Sequence, residues 1–445
     1  MANNTSYLRY KFWLTDHING DAVGSHYCQL SKFYASHYTD SRQMQEKQLY
    51  QILAYANKMC SFYDGCNPED LKSFPVVNKS ILIRHHADIA LPNNLVPGQV
   101  GEIHIQKTSG STGTPFAIPQ DTQKRYRRIA ELKYFGQRVG FKSHEPLIHL
   151  RTWNRWQSKT PGQIKKENIY PFDIAVLDDK HLGELYELAM RTKAVSLRGY
   201  ASSLGLLADY IKRNNLPPIP SVAISFSGSE MLLDETRRDI KRYIGGEVIS
   251  QYANEECGIL AQEKVPTKAS ENIMYLNNAS YRFEFLKLEK DEPAAPGELA
   301  RIVITDLYNH AFPIIRYDTG DTAIFSYPTE KSDGYPVITH LYGRRLDIVY
   351  SLSGNPIHPM VFGRTLKHYD KIAQWQFVQN SAESYELRLI MKDESEFDKY
   401  IEPILNDLTE VLECDRVNIK CVLVDDIPVL KSGKRKPVVN NWVKK

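Results

Sequence analysis

Between residues 145 and 260 the chain alternates segments that read as strands with segments that read as helices. EPLIHLR, AVSLRGY, PSVAISFSG and EVISQYA are short and apolar. HLGELYELAMRTK, SSLGLLADYIKRN and LLDETRRDIKRYIG place apolar residues at helical spacing, and a glycine closes the last. A β-α-β-α order of this kind leaves few solutions, the simplest being a mostly parallel sheet covered by helices. From residue 270 to 340 the pattern changes to alternating strands with turns (YRFEFLKLE, GELARIVITDLY, TAIFSY), which predicts an antiparallel β region. After LYGRRLDIVYSLSGN the chain restarts as helix, two strands, helix and strand, a compact α+β unit. A boundary falls near Arg344–Asp347. The expected domains are 1–343 and 344–445, in keeping with a length of 445 residues.

The first hundred residues read as amphipathic helices, with Leu49, Ile52, Leu53 and Ala56 on one face. TQKRYRRIAELKYFGQRVG, from Thr122, also reads as a helix, and its basic face is expected to be solvated. A net charge of +3 gives no overall field for nucleic acid or anionic lipid. No apolar run is long enough to span a bilayer, and the amino-terminal segment lacks the pattern of a secretory signal. The six cysteines form no CxxC and none has a histidine at ligand spacing, as expected of free thiols in a reducing cytoplasm.

Between two strand-like segments lies IHIQKTSGSTGTPFAIP. Its glycines and hydroxyls suit a loop that wraps an anion with backbone N–H groups. It is not a P-loop, which requires GxxxxGK[ST] running into a helix. An ordinary polar hairpin is the plain alternative. SQYANEECG ends a strand with Tyr252, suited to stacking on a purine, and carries Glu256 four residues on, where a carboxylate can engage magnesium. In IIRYDTGD, Asp318 and Asp321 flank Gly320, and a carboxylate there can accept both hydroxyls of a ribose. YGRRLD presents Arg344 after a glycine. PVLKSGK places Lys434 in a loop of the second domain.

The ordered set TSGSTG, YANEE, RYDTGD, GRRLD and PVLKSGK resembles the adenylate-forming superfamily of acyl-CoA synthetases, adenylation domains and luciferases. Within it the chain is similar to the phenylacetate–CoA ligase-like branch, and most to CapK-like adenylating proteins associated with capsule and surface-polysaccharide genes. The resemblance implies an α/β fold, with a large N-terminal adenylation domain of helix-covered sheets plus a β region and a small mobile α+β C-terminal domain. It implies that Thr108, Ser109, Gly110, Ser111, Thr112 and Gly113 bind the β- and γ-phosphates. Ser227, Gly228, Ser229 and Glu230 would lie along adenine, with Tyr252 stacking on it. Glu256 would engage magnesium, Asp321 the ribose hydroxyls and Arg344 the ribose and phosphate. Lys434 would reach the α-phosphate and the attacking carboxylate.

The activity implied is ATP-dependent conversion of a carboxylic acid to an acyl-adenylate with release of pyrophosphate. CoA, an amine such as an amino sugar or amino acid, or a carrier-protein thiol then takes the acyl group. Implied cofactors are ATP and magnesium; implied partners are a small carboxylic acid and its acceptor, and dimers are common in the branch. Some positions depart from the family pattern. Ala253 stands where glycine is usual and Glu255 where threonine is usual. Leu346 occupies the usual acidic hinge position, so Asp347 is the hinge candidate. Cys257 has no companions for the zinc site of phenylacetate–CoA ligase relatives, and no zinc is expected. These departures keep open a non-catalytic nucleotide-binding scaffold. For the acyl pocket the candidates are Arg151, Trp153, Arg198 and Tyr200, each weighed against ordinary packing.

Overall fold

The computed structural model describes residues 5–107, 116–152, 159–265, 273–327, 334–344, 349–354, 356–357, 359–366, 368–427 and 436–442. The chain divides into two compact units: Met1–Thr319 with Ala323–His340, and Gly320–Thr322 with Leu341–Lys445.

The first unit opens with three helices, α1 (Thr5–Ile18), α2 (Ala22–Ala35) and α3 (Tyr38–Met59). The α3 residues Leu49, Ile52, Leu53 and Ala56 are all buried, as their spacing requires. Short helices α4 (Lys79–Arg84) and α5 (His86–Ile89) follow. Next comes an antiparallel hairpin, β1 (His104–Lys107) and β2 (Ala117–Gln120), the stem of the glycine-rich segment. After α6 (Thr122–Arg138) the alternation begins: β3 (Leu147–Arg151), α7 (Pro161–Glu167), β4 (Ile169–Asp173), α8 (Asp179–Thr192), β5 (Ser196–Tyr200), α9 (Ala201–Arg213), β6 (Ile224–Gly228), α10 (Asp234–Asp239) and β7 (Glu247–Asn254). A π-helical turn, Ile240–Ile244, extends α10.

β3 pairs in parallel with β4 and β5, β5 with β6, and β6 with β7. The apolar faces of α8 and α9 meet Ile148, Leu150, Leu197 and Val248 on one side of the sheet. The α7–β4 segment has no clear sequence signal. β4 is an edge strand, and there Pro171, which cannot donate to a ladder, is tolerated.

The parallel and antiparallel regions, separate in the sequence reading, form one sheet. β8 (Gly258–Glu263) folds back on β7, and β9 (Met274–Leu276), β10 (Tyr281–Leu286), β11 (Leu299–Asp306), β12 (Tyr317–Ser326) and β13 (Val337–Arg344) continue it. The eleven strands run in the order β10-β11-β12-β13-β9-β8-β7-β6-β5-β3-β4. The tight β7–β8 turn reverses strand direction, and it carries Glu255 and Glu256.

The solvated basic face expected of α6 is overturned. Lys124, Arg127 and Glu131 are fully buried. The Lys124 ammonium lies 2.5 Å from Asp306 on β11 and donates to the Tyr281 hydroxyl. Arg127 donates to the Ser280 hydroxyl and the Ala279 carbonyl. Glu131 accepts from Asn277. Charges at helical spacing form a stripe whichever environment they face. Here the environment is a polar seam of the sheet, which supplies a partner for each.

The second unit holds β14 (Val349–Tyr350), β15 (Pro356–Ile357), α11 (Pro359–Leu366), β16 (Ile372–Ser381), β17 (Ser384–Met391), α12 (Phe397–Leu412), β18 (Ile419–Leu423) and β19 (Val438–Asn440). A four-stranded sheet ordered β18-β17-β16-β19 packs Phe377, Tyr385, Leu387 and Leu389 against Phe362, Ile404, Leu408 and Leu412 of the two helices. No helix among the described residues is long and apolar enough to cross a membrane.

Two substitutions test this packing. Lys124→Met leaves the Asp306 carboxylate buried without its cation. It should cost about 3–5 kcal/mol in denaturant unfolding, and adding Asp306→Leu should recover much of that. Gly246, before β7, has φ +69°, and a Cβ there would lie 2.5 Å from the Ala223 carbonyl carbon. Gly246→Ala should destabilise by about 2–4 kcal/mol through backbone strain and overpacking, seen as a lowered melting temperature.

Candidate active site

Parallel strands bring their carboxyl ends to one edge. Here those ends are Arg151 on β3, Tyr200 on β5, Gly228 on β6 and the Tyr252–Asn254 end of β7. Connections leave β3 toward β4 in one direction along the sheet and β5 toward β6 in the other, so the chain reverses between β3 and β5. Open α/β sheets bind ligands in the crevice outside such a reversal.

The register also sorts side chains by face. His149 pairs with Arg198, and Arg198 with Phe226. Arg151 and Tyr200, two residues further along their strands, share that face. Burial raises the Tyr200 phenol; Arg151 opposes the rise, and the carboxylates of Glu230 and Glu255 add to it. Burial, reinforced by Arg198, Arg151 and Lys159, pushes His149 down to about 3, so it is a neutral imidazole at ordinary pH.

After β6 the chain turns sharply, with Ser229 at φ +64°, a left-handed conformation a non-glycine residue rarely adopts. The Glu230 carboxylate accepts from the Ser202 N–H at the start of α9, 2.9 Å away. Glu230 thus ties the β6 turn to the helix after β5. Ser227 is buried, and its hydroxyl makes no hydrogen bond among the described residues.

Tyr252 is 8% exposed and donates to the Thr319 hydroxyl at 3.2 Å, which in turn donates to the Ile302 carbonyl. The following turn is held at nearly every polar group. Asn254 Oδ1 accepts from the Cys257 N–H. The Glu255 carbonyl accepts from Arg128, the Glu256 carbonyl from Gln120, and the Cys257 carbonyl from the Tyr281 hydroxyl. Glu255, which stands where the family usually has threonine, accepts from Gln106 Nε2 at 2.8 Å and so binds the hairpin stem to this turn. Glu256 differs from its neighbour. It is 8% exposed, and its carboxylate has no hydrogen bond or ion pair among the described residues. A buried, unpartnered carboxylate is costly unless a cation meets it, so its donor chemistry fits magnesium, which binds through one or two carboxylates plus phosphate and water.

Of the two aspartates around Gly320, Asp318 is engaged by Arg301 at 2.8 Å. Asp321 lies on β12, next to Thr322, whose hydroxyl donates to the Gly343 carbonyl at 3.4 Å. That contact sets Asp321 and the β13 position of Arg344 on neighbouring strands. The Arg344 side chain, the whole of Thr108–Gly113, Trp153, Asp347 and Lys434 lie outside the described residues. The flank of the Lys434 segment is described: Gln376 donates to the Lys436 carbonyl, and the Phe377 N–H to that of Pro437.

Sequence reasoning missed the residues that hold the turn: Gln106, Gln120, Arg128 and Tyr281. The only signal was the basic stripe of α6, and its periodicity does not distinguish solvent from a polar partner.

Residues 349–441 match the CapK C-terminal domain. Protein CapK of Staphylococcus aureus is 21% identical over 419 residues, which cover 90% of each chain. Among solved structures, 2-hydroxyisobutyryl-CoA ligase in its postadenylation state superposes with a TM-score of 0.72 at 17% identity, over 91% of this chain and 90% of that one. The amide bond synthetase McbA of Marinactinospora thermotolerans reaches 0.55 at 14% identity, over 75% and 67%. The chain has the fold of these solved structures, and its residues 349–441 match the CapK C-terminal domain.

Proposed function

We propose that the protein activates a carboxylic acid with ATP and passes the acyl group to a second nucleophile. The observation that carries this reading is the Glu256 turn, a buried carboxylate without a partner among the described residues, clamped through its backbone next to Tyr252 at the carboxyl edge of the sheet. A carboxylate oxygen of the acid attacks the α-phosphorus, the bond to the β-phosphate oxygen breaks, and pyrophosphate leaves. No proton transfer is needed, so the protein's task is to align two anions and stabilise developing charge.

In this reading residues 1–343 form the adenylation domain and 344–445 the domain that delivers Lys434. Tyr252 stacks on adenine beside the Ser227–Glu230 turn. Asp321 and Arg344 hold the ribose, and Thr108–Gly113 the outer phosphates. Glu256 would hold magnesium, which supplies charge neutralisation on the phosphate oxygens. A loop without lysine is adequate because its positive charge comes from Glu256's metal and from Lys434. Arg151 and Tyr200 line the acyl side, and Asp347 is the hinge.

CoA and amine acceptors each have support in the fold neighbours, one a CoA ligase and another an amide bond synthetase. The likeness to Protein CapK favours a place in surface-polysaccharide synthesis.

The deciding experiment is pyrophosphate release from ATP and magnesium with a panel of aryl, hydroxy and amino acids, with and without CoA. Acid-dependent release should fall at least about 100-fold in Lys434→Ala while ATP still binds. Acceleration by CoA identifies the thioester route. ATP binding with no release on any acid favours the scaffold. Absence of ATP binding defeats the proposal. Tyr252→Ala should weaken ATP binding by roughly 5- to 150-fold, the value of one base–aromatic stack, whereas Tyr252→Phe keeps the ring and should bind nearly normally.

A further inference from the structure

Arg198 stands in the middle of β5, beside His149 on β3 and Phe226 on β6, on the face shared by Arg151 and Tyr200. Its guanidinium lies 4.7 Å from the centre of the Phe226 ring. Its Nε is sealed from solvent and makes no hydrogen bond, and no ion pair to Arg198 is present among the described residues.

The charges that bear on His149, its neighbour on β3, are positive. His149 feels Arg198, Arg151 and Lys159, with no carboxylate among its influences. Burial alone pushes Arg198 down to about 10. The nearby acids are otherwise engaged: Glu230 holds the Ser202 N–H, Glu255 holds Gln106, and Glu167 pairs with Lys159. Arg198 is half-buried, and a guanidinium whose Nε is sealed from water forfeits hydration there unless an anion or an acceptor repays it; its planar fork suits carboxylate or phosphate oxygens.

We propose that Arg198 receives a second anionic group on the acid being activated, so that the substrates are short acids carrying two negative groups. This rests on the adenylation reading above. The reacting carboxylate belongs at the strand ends, near Tyr200. Arg198 lies two residues deeper, its Cα about 7 Å along the strand from that of Tyr200, and the second group lies between that depth and the strand ends. The neutral His149 imidazole offers a further hydrogen bond there without adding charge. Monocarboxylates would leave the cation unpaired, and that is the source of discrimination.

The test is calorimetric binding of succinate and glutarate, each against its monomethyl ester, to protein loaded with a non-hydrolysable ATP analogue. The diacids should bind about 10- to 100-fold more tightly. Arg198→Met should erase the difference while leaving binding of the ATP analogue intact. Arg198→Lys, which retains charge but lacks the fork, should keep part of it and serves if the methionine variant does not fold. Equal binding of diacid and ester, no binding of either, or a preference that survives Arg198→Met overturns the assignment of Arg198. Pyrophosphate release on a monoacid alone would do the same while leaving adenylation standing. Tight diacid binding with no release on any acid would instead overturn adenylation, while keeping Arg198 as an anion receptor.

Discussion

The contact between the Lys124 ammonium and the Asp306 carboxylate is where the first unit is joined. Both side chains are fully buried, so neither charge is tolerable without the other. The pair fixes α6 across β11. Through Tyr281, which takes a hydrogen bond from Lys124 and gives one to the Cys257 carbonyl, it also sets the β7–β8 turn. Arg128, one helical turn further along α6, reaches the Glu255 carbonyl of the same turn. One helix face therefore welds two parts of the sheet and shapes the peptide that presents Glu256. Such a network is high-stakes, since every member must be satisfied.

This arrangement divides labour between two adjacent carboxylates. Glu255 is spent on Gln106, anchoring the stem of the glycine-rich segment. Glu256 is buried with no such partner among the described residues. The strain at Ser229 and the cap that Glu230 supplies to α9 belong to the same edge, where turns after parallel strands converge. The carboxyl edge is thus built from backbone constraints that leave a few polar groups unspent. In the reading proposed here these meet an anionic nucleotide and an acid.

Much of this was legible in the chain itself. The apolar spacing in α3, α8 and α9 and the short buried strands β5 and β6 place helices and parallel sheet, because burying one stripe or one strand is a local demand. The spacing of Tyr252 from Glu256 and of Asp321 from Gly320 marked the positions that the proposed reading uses. Where the reading failed, the cause was nonlocal. The basic stripe of α6 has the same periodicity as a solvated face, and only Asp306, Ser280 and Asn277, more than a hundred residues away, make it internal. RYDTGD does not tell that Asp318 pairs with Arg301, seventeen residues before it in the chain.

What the sequence by itself determined is most of the elements and the motif residues, since helical and strand periods and turn glycines act over a few residues. The tertiary structure decided which charges are partnered and which are left over. It decided that the parallel and antiparallel regions are one sheet, with the Glu256 turn at the point of reversal. It also set Arg198 beside His149, through a register between strands that begin almost fifty residues apart. Pairing of charges and register of strands depend on neighbours in space, and no period along the chain encodes them.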